Sequence, residues 1–146
     1  MKRLLFVDDE RPVLEGLRSR LHKLAARWQM EFVAGGELAI EHLQRQPCDL
    51  VVTDMRMPGM DGAKLLEQVS LRWPPTVRIV LSGYSELEQT IRLVPYAHQY
   101  LSKPCQPRQL ETVIERCLLL QDLLNRADLR AIVGRIRKLP SLPHIY

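Results

Sequence analysis

Five short runs of branched apolar residues, each followed by a stretch whose apolar positions recur at helical spacing, fill the first 120 or so residues. This alternation admits few folds. Strands that read as near-continuous apolar runs are buried on both faces, and a strand, helix, strand order brings each strand back parallel to the last. The pattern therefore predicts an α/β, doubly wound, five-stranded parallel sheet with helices on both faces. The strands are expected at Arg3 to Val7, Met30 to Ala34, Leu50 to Thr53, Val77 to Leu81 and Gln99 to Ser102. Pro12 suits the first turn of the first helix, whose apolar face is expected to be Val13, Leu17, Leu21 and Leu24. Further helices are expected from about Glu37 to Gln44, Gly62 to Leu71 and Glu86 to Val94. A fifth opens at Pro107 with Leu110, Val113, Ile114, Cys117 and Leu118 on one face.

Open sheets of this kind bind ligands outside the carboxyl ends of their strands, at the point where strand order reverses. That rule locates a site before any motif is considered. Asp8 and Asp9 leave the first strand, Asp54 the third, Ser82 the fourth and Lys103 the fifth. Each alone has an ordinary explanation: an acidic pair in a solvated turn, a Ser-Gly turn, a loop lysine beside a proline. Their joint placement at successive strand ends of one sheet edge is what points to chemistry.

Three carboxylates converging in one pocket repel one another, and a hard divalent cation relieves the repulsion. Magnesium is the expected ion, because it keeps several waters and needs few protein oxygens. Asp9, Asp54 and a backbone carbonyl just beyond Asp54 suffice, with Asp8 holding a water or orienting the shell. Such a pocket is equipped for phosphoryl transfer, which requires positioning and neutralisation of charge on the phosphoryl oxygens. Asp54 is then the nucleophile, the metal and Lys103 neutralise two oxygens, and Ser82 donates a hydrogen bond to a third. Arg56 and Tyr84, at the rim, are placed to tune the lifetime of the acyl phosphate.

The residues at these positions resemble the receiver family of bacterial two-component signalling, the CheY-like response regulators. The matching pieces are Val7-Asp8-Asp9-Glu10, the run from Val51 to Gly62 that contains Asp54-Met55-Arg56-Met57-Pro58-Gly59, then Leu81-Ser82-Gly83 and Tyr100-Leu101-Ser102-Lys103-Pro104. The resemblance covers residues 1 to about 121. It implies a flavodoxin-like strand order 2-1-3-4-5 and phosphorylation of Asp54 by a sensor histidine kinase or phosphotransfer protein. It further implies magnesium held by Asp8, Asp9, Asp54 and the Arg56 carbonyl, a switch pair of Ser82 and Tyr100, and a cis peptide between Lys103 and Pro104. A protein of this family catalyses only its own phosphoryl transfer and dephosphorylation and is otherwise no enzyme.

There is one departure. Where many receivers carry a Gly-Ala pair before the fifth strand, this chain has Val94-Pro95-Tyr96-Ala97-His98-Gln99, which predicts a remodelled surface there. Past residue 121, the stretch from Leu129 to Pro143 resembles the start of an HDOD output domain. Residues 1–121 are then the receiver, and 122–146 a linker helix and the truncated start of an HDOD-like domain that the receiver regulates. Leu118, Leu119, Leu120, Leu123 and Leu124 either cap the core or form a coupling or dimer helix; the second is expected, because one helix face cannot accommodate all five. The alternative function is a docking and dimerisation module that works without phosphorylation.

Charge excludes one other class. The net charge of +4 resides in residues 126–146, where Arg126, Arg130, Arg135, Arg137 and Lys138 face Asp128 alone. The first 125 residues are balanced and show no basic stripe for nucleic acid. No apolar run approaches the roughly 20 residues that span a bilayer, and Asp8 and Asp9 interrupt any signal-peptide core, so a cytoplasmic protein without membrane contact is expected. Cys48, Cys105 and Cys117 have neither metal-ligand spacing nor a disulfide pattern. The four histidines lack ligand spacing and read as structural or surface residues.

Overall fold

The computed structural model describes residues 1–83, 95–103 and 105–125. Five parallel strands form one sheet in the order β2-β1-β3-β4-β5, with β1 at Lys2–Val7, β2 at Trp28–Val33, β3 at Leu50–Asp54, β4 at Val77–Ser82 and β5 at Gln99–Ser102. The described helices are α1 (Arg11–Arg20), α2 (Gly36–Arg45), α3 (Gly62–Arg72) and α4 (Pro107–Leu124). The α4 label thus belongs to the helix expected to open at Pro107, and the helix expected over Glu86 to Val94 lies outside the described residues.

Alternation along the central strands divides the core in two, because successive side chains of a strand point to opposite faces. Leu4, Phe6, Leu50, Val52, Ile79 and Leu101 pack with the α4 residues Leu110, Val113, Ile114, Cys117 and Leu118. Leu5, Val7, Val51 and Val80 pack on the other face with Ala39 and Leu43 of α2 and Leu65, Leu66 and Val69 of α3. All five apolar positions predicted for the last helix are buried. Its next residues diverge: Leu119 is 61% exposed, and Leu120, Leu123 and Leu124 are half-buried.

Two expectations are corrected. The first helix stops at Arg20, and a 3-10 turn over His22–Ala26 carries Leu24 into the core. Within α1 the buried residue is Leu14, while Val13 is only half-buried: Leu14 and Leu21, seven apart, stack on one face, which Val13 misses. The second strand starts at Trp28, two residues early, and ends at Val33, because Trp28 pairs with Lys2 and buries its ring at the sheet's lower end.

The lower edge is tied by polar groups that the pattern of apolar residues could not reveal. Gln121, buried on α4, donates through Nε2 to the carbonyls of Asp49 (3.1 Å) and Pro75 (3.0 Å), and its Oε1 accepts from the Lys2 ammonium (3.2 Å). One side chain thereby satisfies the backbone just ahead of β3 and β4 and fastens the last helix to the sheet.

Candidate functional site

The upper edge of the sheet, where β1, β3, β4 and β5 end, holds the predicted residues. β1 and β3 are in register with Val7 opposite Thr53, and β3 and β4 with Asp54 opposite Leu81. The chain emerging from β1 therefore meets the end of β3. Ligand oxygens of Asp8, Asp9 and Asp54 lie within 4.8 Å of one another. Asp8 and Asp54 are buried, at 4% and 8% exposure, and Asp9 is half-buried.

Local hydrogen bonds fix the carboxylates. Asp8 Oδ1 accepts the Glu10 amide at 2.9 Å, and the Asp8 amide donates to the Val33 carbonyl at 3.2 Å, which ties the loop to β2. Asp54 Oδ1 accepts the Met55 amide at 3.0 Å and forms an ion pair with the Lys103 ammonium. Lys103 is carried there by β5: Ser82 pairs with Ser102, and the Lys103 amide donates to the Ser82 carbonyl at 2.9 Å. Ser82 is buried at the same edge.

The loop after β3 is held by close approach. The Gly62 amide donates to the Met55 carbonyl at 2.8 Å, and a Cβ on Gly62 would lie 2.5 Å from the Asp54 carbonyl oxygen, so only glycine lets α3 begin there. Asp61 is spent on structure as well, since its carboxylate caps α3 by accepting the Lys64 amide at 2.8 Å. The resulting cleft, of about 560 Å³, is lined by Asp9, Glu10, Asp54, Arg56, Met57, Pro58, Asp61 and Lys103.

Burial pushes the Asp8 carboxyl up to about 6; the Glu10 amide opposes this and the nearby Asp54 charge adds to it. Asp8, Asp9, Glu10, Asp54 and Asp61 outnumber Lys103 and Arg56 among the described residues of the pocket and leave it negative. A divalent cation with oxygen preference fits that donor set, and Asp8, Asp9 and Asp54 are the residues to hold it.

Residues 4–115 match the family of response regulator receiver domains. The chain belongs to that family. Receiver domains are signalling switches of two-component systems. Over 131 residues this one is 36% identical to the hydrogenase transcriptional regulatory protein HoxA of Cupriavidus necator, an alignment that covers 86% of this chain and 27% of that protein. It spans between 25% and 59% of the length of the curated relatives it resembles. Among solved structures it resembles the signal receiver domain of an HD domain-containing protein from Pseudomonas fluorescens, with a TM-score of 0.78, 27% identity, and coverage of 84% of this chain and 98% of that one. A CheY-like receiver domain protein from Methanospirillum hungatei gives a TM-score of 0.77 at 27% identity, with coverage of 84% and 98%.

Asp8, Asp9, Asp54, Ser82 and Lys103 thus come together at one edge, and Arg56 lines the cleft with its side chain exposed. Tyr100 packs among the α3-side core residues; its hydroxyl is buried without a hydrogen-bond partner among the described residues, and burial raises its pKa. Tyr84 and the peptide joining Lys103 to Pro104 lie outside the described residues. Sequence reasoning missed the buried pair Arg78 and His98. An arginine in an apolar strand and a histidine in a loop carry no spacing signal; only the flagged departure before the fifth strand marked the region.

Proposed function

We propose that this receiver is the phosphoacceptor of a two-component pathway, phosphorylated on Asp54. The observation that carries the reading is the Lys103–Asp54 ion pair beside a cluster of three carboxylates in an open cleft. A phosphohistidine on a sensor histidine kinase or phosphotransfer protein is the donor. An Asp54 carboxylate oxygen attacks the phosphorus, the P–O bond forms as the P–N bond breaks, and the electron pair leaves with the imidazole nitrogen. Magnesium, when bound by Asp8, Asp9, Asp54 and the Arg56 carbonyl, supplies charge neutralisation for the phosphoryl oxygens. Lys103 leaves Asp54 Oδ1 to pair with one phosphoryl oxygen, and the Ser82 hydroxyl donates to another.

Drawing Ser82 toward the phosphoryl group vacates space that Tyr100 occupies in the switched state. The coupling this supplies to a distant surface is typically about 1 to 3 kcal/mol, enough to bias a domain interface. Residues 1–121 act as the receiver in the cytoplasm, and 122–146 as linker helix and start of an HDOD-type output domain. The existence of a similar receiver in an HD domain-containing protein supports that pairing. Tyr84 and Arg56 modulate the lifetime of the phosphorylated state.

Intact-mass measurement after incubation with magnesium and acetyl phosphate tests the reading. One phosphoryl adduct on the wild type, lost in Asp54→Asn and on chelation, is expected. A folded, magnesium-binding protein that takes no adduct overturns it. The exposed Leu119 and the half-buried Leu120, Leu123 and Leu124 favour a second reading, a phosphorylation-independent docking or homodimer module. In that case the oligomeric state is the same with and without the adduct.

A further inference from the structure

The strand that delivers Lys103 and Tyr100 is the shortest in the sheet. β5 has four residues, lies at the sheet's edge and pairs with β4 alone. A slip of one residue moves a strand by about 3.3 Å and turns its side chains to the opposite faces. Such a slip takes Lys103 away from Asp54 and turns Tyr100 out of the α3-side core.

The register is held at both ends. Above, the Lys103 amide bonds to the Ser82 carbonyl. Below, Arg78 and His98 close a ring of two hydrogen bonds: the His98 amide donates to the Arg78 carbonyl at 2.8 Å, and the Arg78 amide donates back to His98 Nδ1 at 2.9 Å. The imidazole thus supplies the acceptor that the backbone of β5, which starts one residue later, does not. The Arg78 guanidinium then binds the segments on either side, donating through Nε to the Tyr96 carbonyl at 2.5 Å and through Nη1 to the carbonyls of Pro74 (3.2 Å) and Thr76 (3.1 Å). Its Nη2 lies 3.3 Å from His98 Nε2. Both side chains are buried, at 4% and 6% exposure, and among the described residues no carboxylate is a hydrogen-bond partner of Arg78. A buried guanidinium is costly unless its donors are matched. Here three carbonyls match its Nε and Nη1 donors, that of Tyr96 ahead of β5 and those of Pro74 and Thr76 ahead of β4.

We propose that Arg78 and His98 are positioning residues for phosphoryl transfer, a clamp that sets the register of β5 and thereby the place where Lys103 meets Asp54. The proposal rests on the reading of Asp54 as phosphoacceptor. The clamp acts through Lys103 and Tyr100 and leaves the carboxylates alone, since those are carried by β1 and β3.

This separation supplies the test. His98→Leu, His98→Asn and Arg78→Lys are compared with the wild type in three measurements: the initial rate of Asp54 labelling by acetyl phosphate, magnesium affinity, and amide hydrogen exchange at Lys103 in the unphosphorylated protein. His98→Leu is expected to slow labelling by about tenfold to a hundredfold and to speed exchange at Lys103. Its magnesium affinity stays within about twofold of wild type. His98→Asn, which keeps an acceptor near the Nδ1 position, recovers most of the rate. Arg78→Lys retains the amide bond to His98 but loses the reach to three carbonyls; it gives the same split in weaker form and decides the matter where His98→Leu does not fold. Wild-type labelling and exchange in the variants overturn the clamp, and so does a fall in magnesium affinity in step with the rate, which assigns the pair to general stability. Absence of any adduct on the wild type overturns the reading of Asp54 itself, whatever the exchange shows.

Discussion

The ammonium of Lys103, at the end of the edge strand, is paired with the same Asp54 oxygen that accepts the Met55 amide. That oxygen is held on two sides, and the carboxylate is aimed into the cleft before any donor arrives. Lys103→Met removes the cation that neutralises a phosphoryl oxygen in the transition state. The initial rate of labelling by acetyl phosphate is expected to fall by about 10² to 10³-fold. Titration calorimetry will show magnesium binding at least as tight as in the wild type, because the competing positive charge has gone. A variant labelled at the wild-type rate rules out this role for Lys103.

Asp8 makes stability depend on pH and metal together. Its folded-state carboxyl, at about 6, lies above the ordinary 3.8, so the folded protein holds that proton more tightly than the unfolded chain does. The stabilisation is fully present below about pH 4 and is lost as pH rises through about 6. Above that pH the buried charge works against folding by up to about 3 kcal/mol. Asp8→Asn keeps an oxygen for the Glu10 amide and removes the charge. Without metal at pH 8 it should be the more stable protein in urea melts, with the gain vanishing near pH 4. Saturating magnesium reverses the order at pH 8, since the wild type alone has all three carboxylates. A metal-free variant less stable than wild type at pH 8 contradicts the argument.

What the sequence revealed of this fold was what periodicity and chain order encode. Unbroken apolar runs gave a parallel sheet, and the strand ends then placed Asp8, Asp54, Ser82 and Lys103 on one edge without further information. The errors fell where local spacing is ambiguous. Val13 and Leu14 both fit a helical repeat, and only the register with Leu21 separates them. Polar groups buried far from the site left no trace in the pattern: Gln121 and Arg78 carry no signal there, because the carbonyls they satisfy belong to other segments that only the fold brings beside them. The need for glycine at position 62 is of the same kind, because it arises from the approach of the Asp54 carbonyl and not from a turn.

The buried Tyr100 hydroxyl predicts an unusual result for a conservative change. A hydroxyl removed from water without a partner lowers stability by about 1 to 3 kcal/mol. Tyr100→Phe keeps the ring among its neighbours and deletes the unsatisfied group, so it should be at least as stable as the wild type, with a gain of about 1 kcal/mol in urea melts. A loss of more than about 1 kcal/mol means that the hydroxyl finds a partner in solution.

Gly62 and Gly16 make opposite predictions for the same substitution. At Gly62 an added Cβ lies 2.5 Å from the Asp54 carbonyl oxygen and 3.0 Å from the Met55 Cα, both backbone atoms of the strand end that cannot rotate away. Gly62→Ala must move either the start of α3 or the end of β3, at a cost of about 1 to 3 kcal/mol, and the displacement carries Asp54 with it. Magnesium affinity and labelling rate should therefore fall together with stability. At Gly16, inside α1, the nearest atom to an added Cβ is the end of the flexible Arg20 side chain at 3.4 Å. Gly16→Ala gains the helix preference of alanine, about 0.5 to 1 kcal/mol, with no change at the site. Urea melts and magnesium titrations of the two variants side by side check both. Equal effects from the two substitutions would show that the strand end is free to yield, and the close approach at Gly62 would then have no part in holding Asp54.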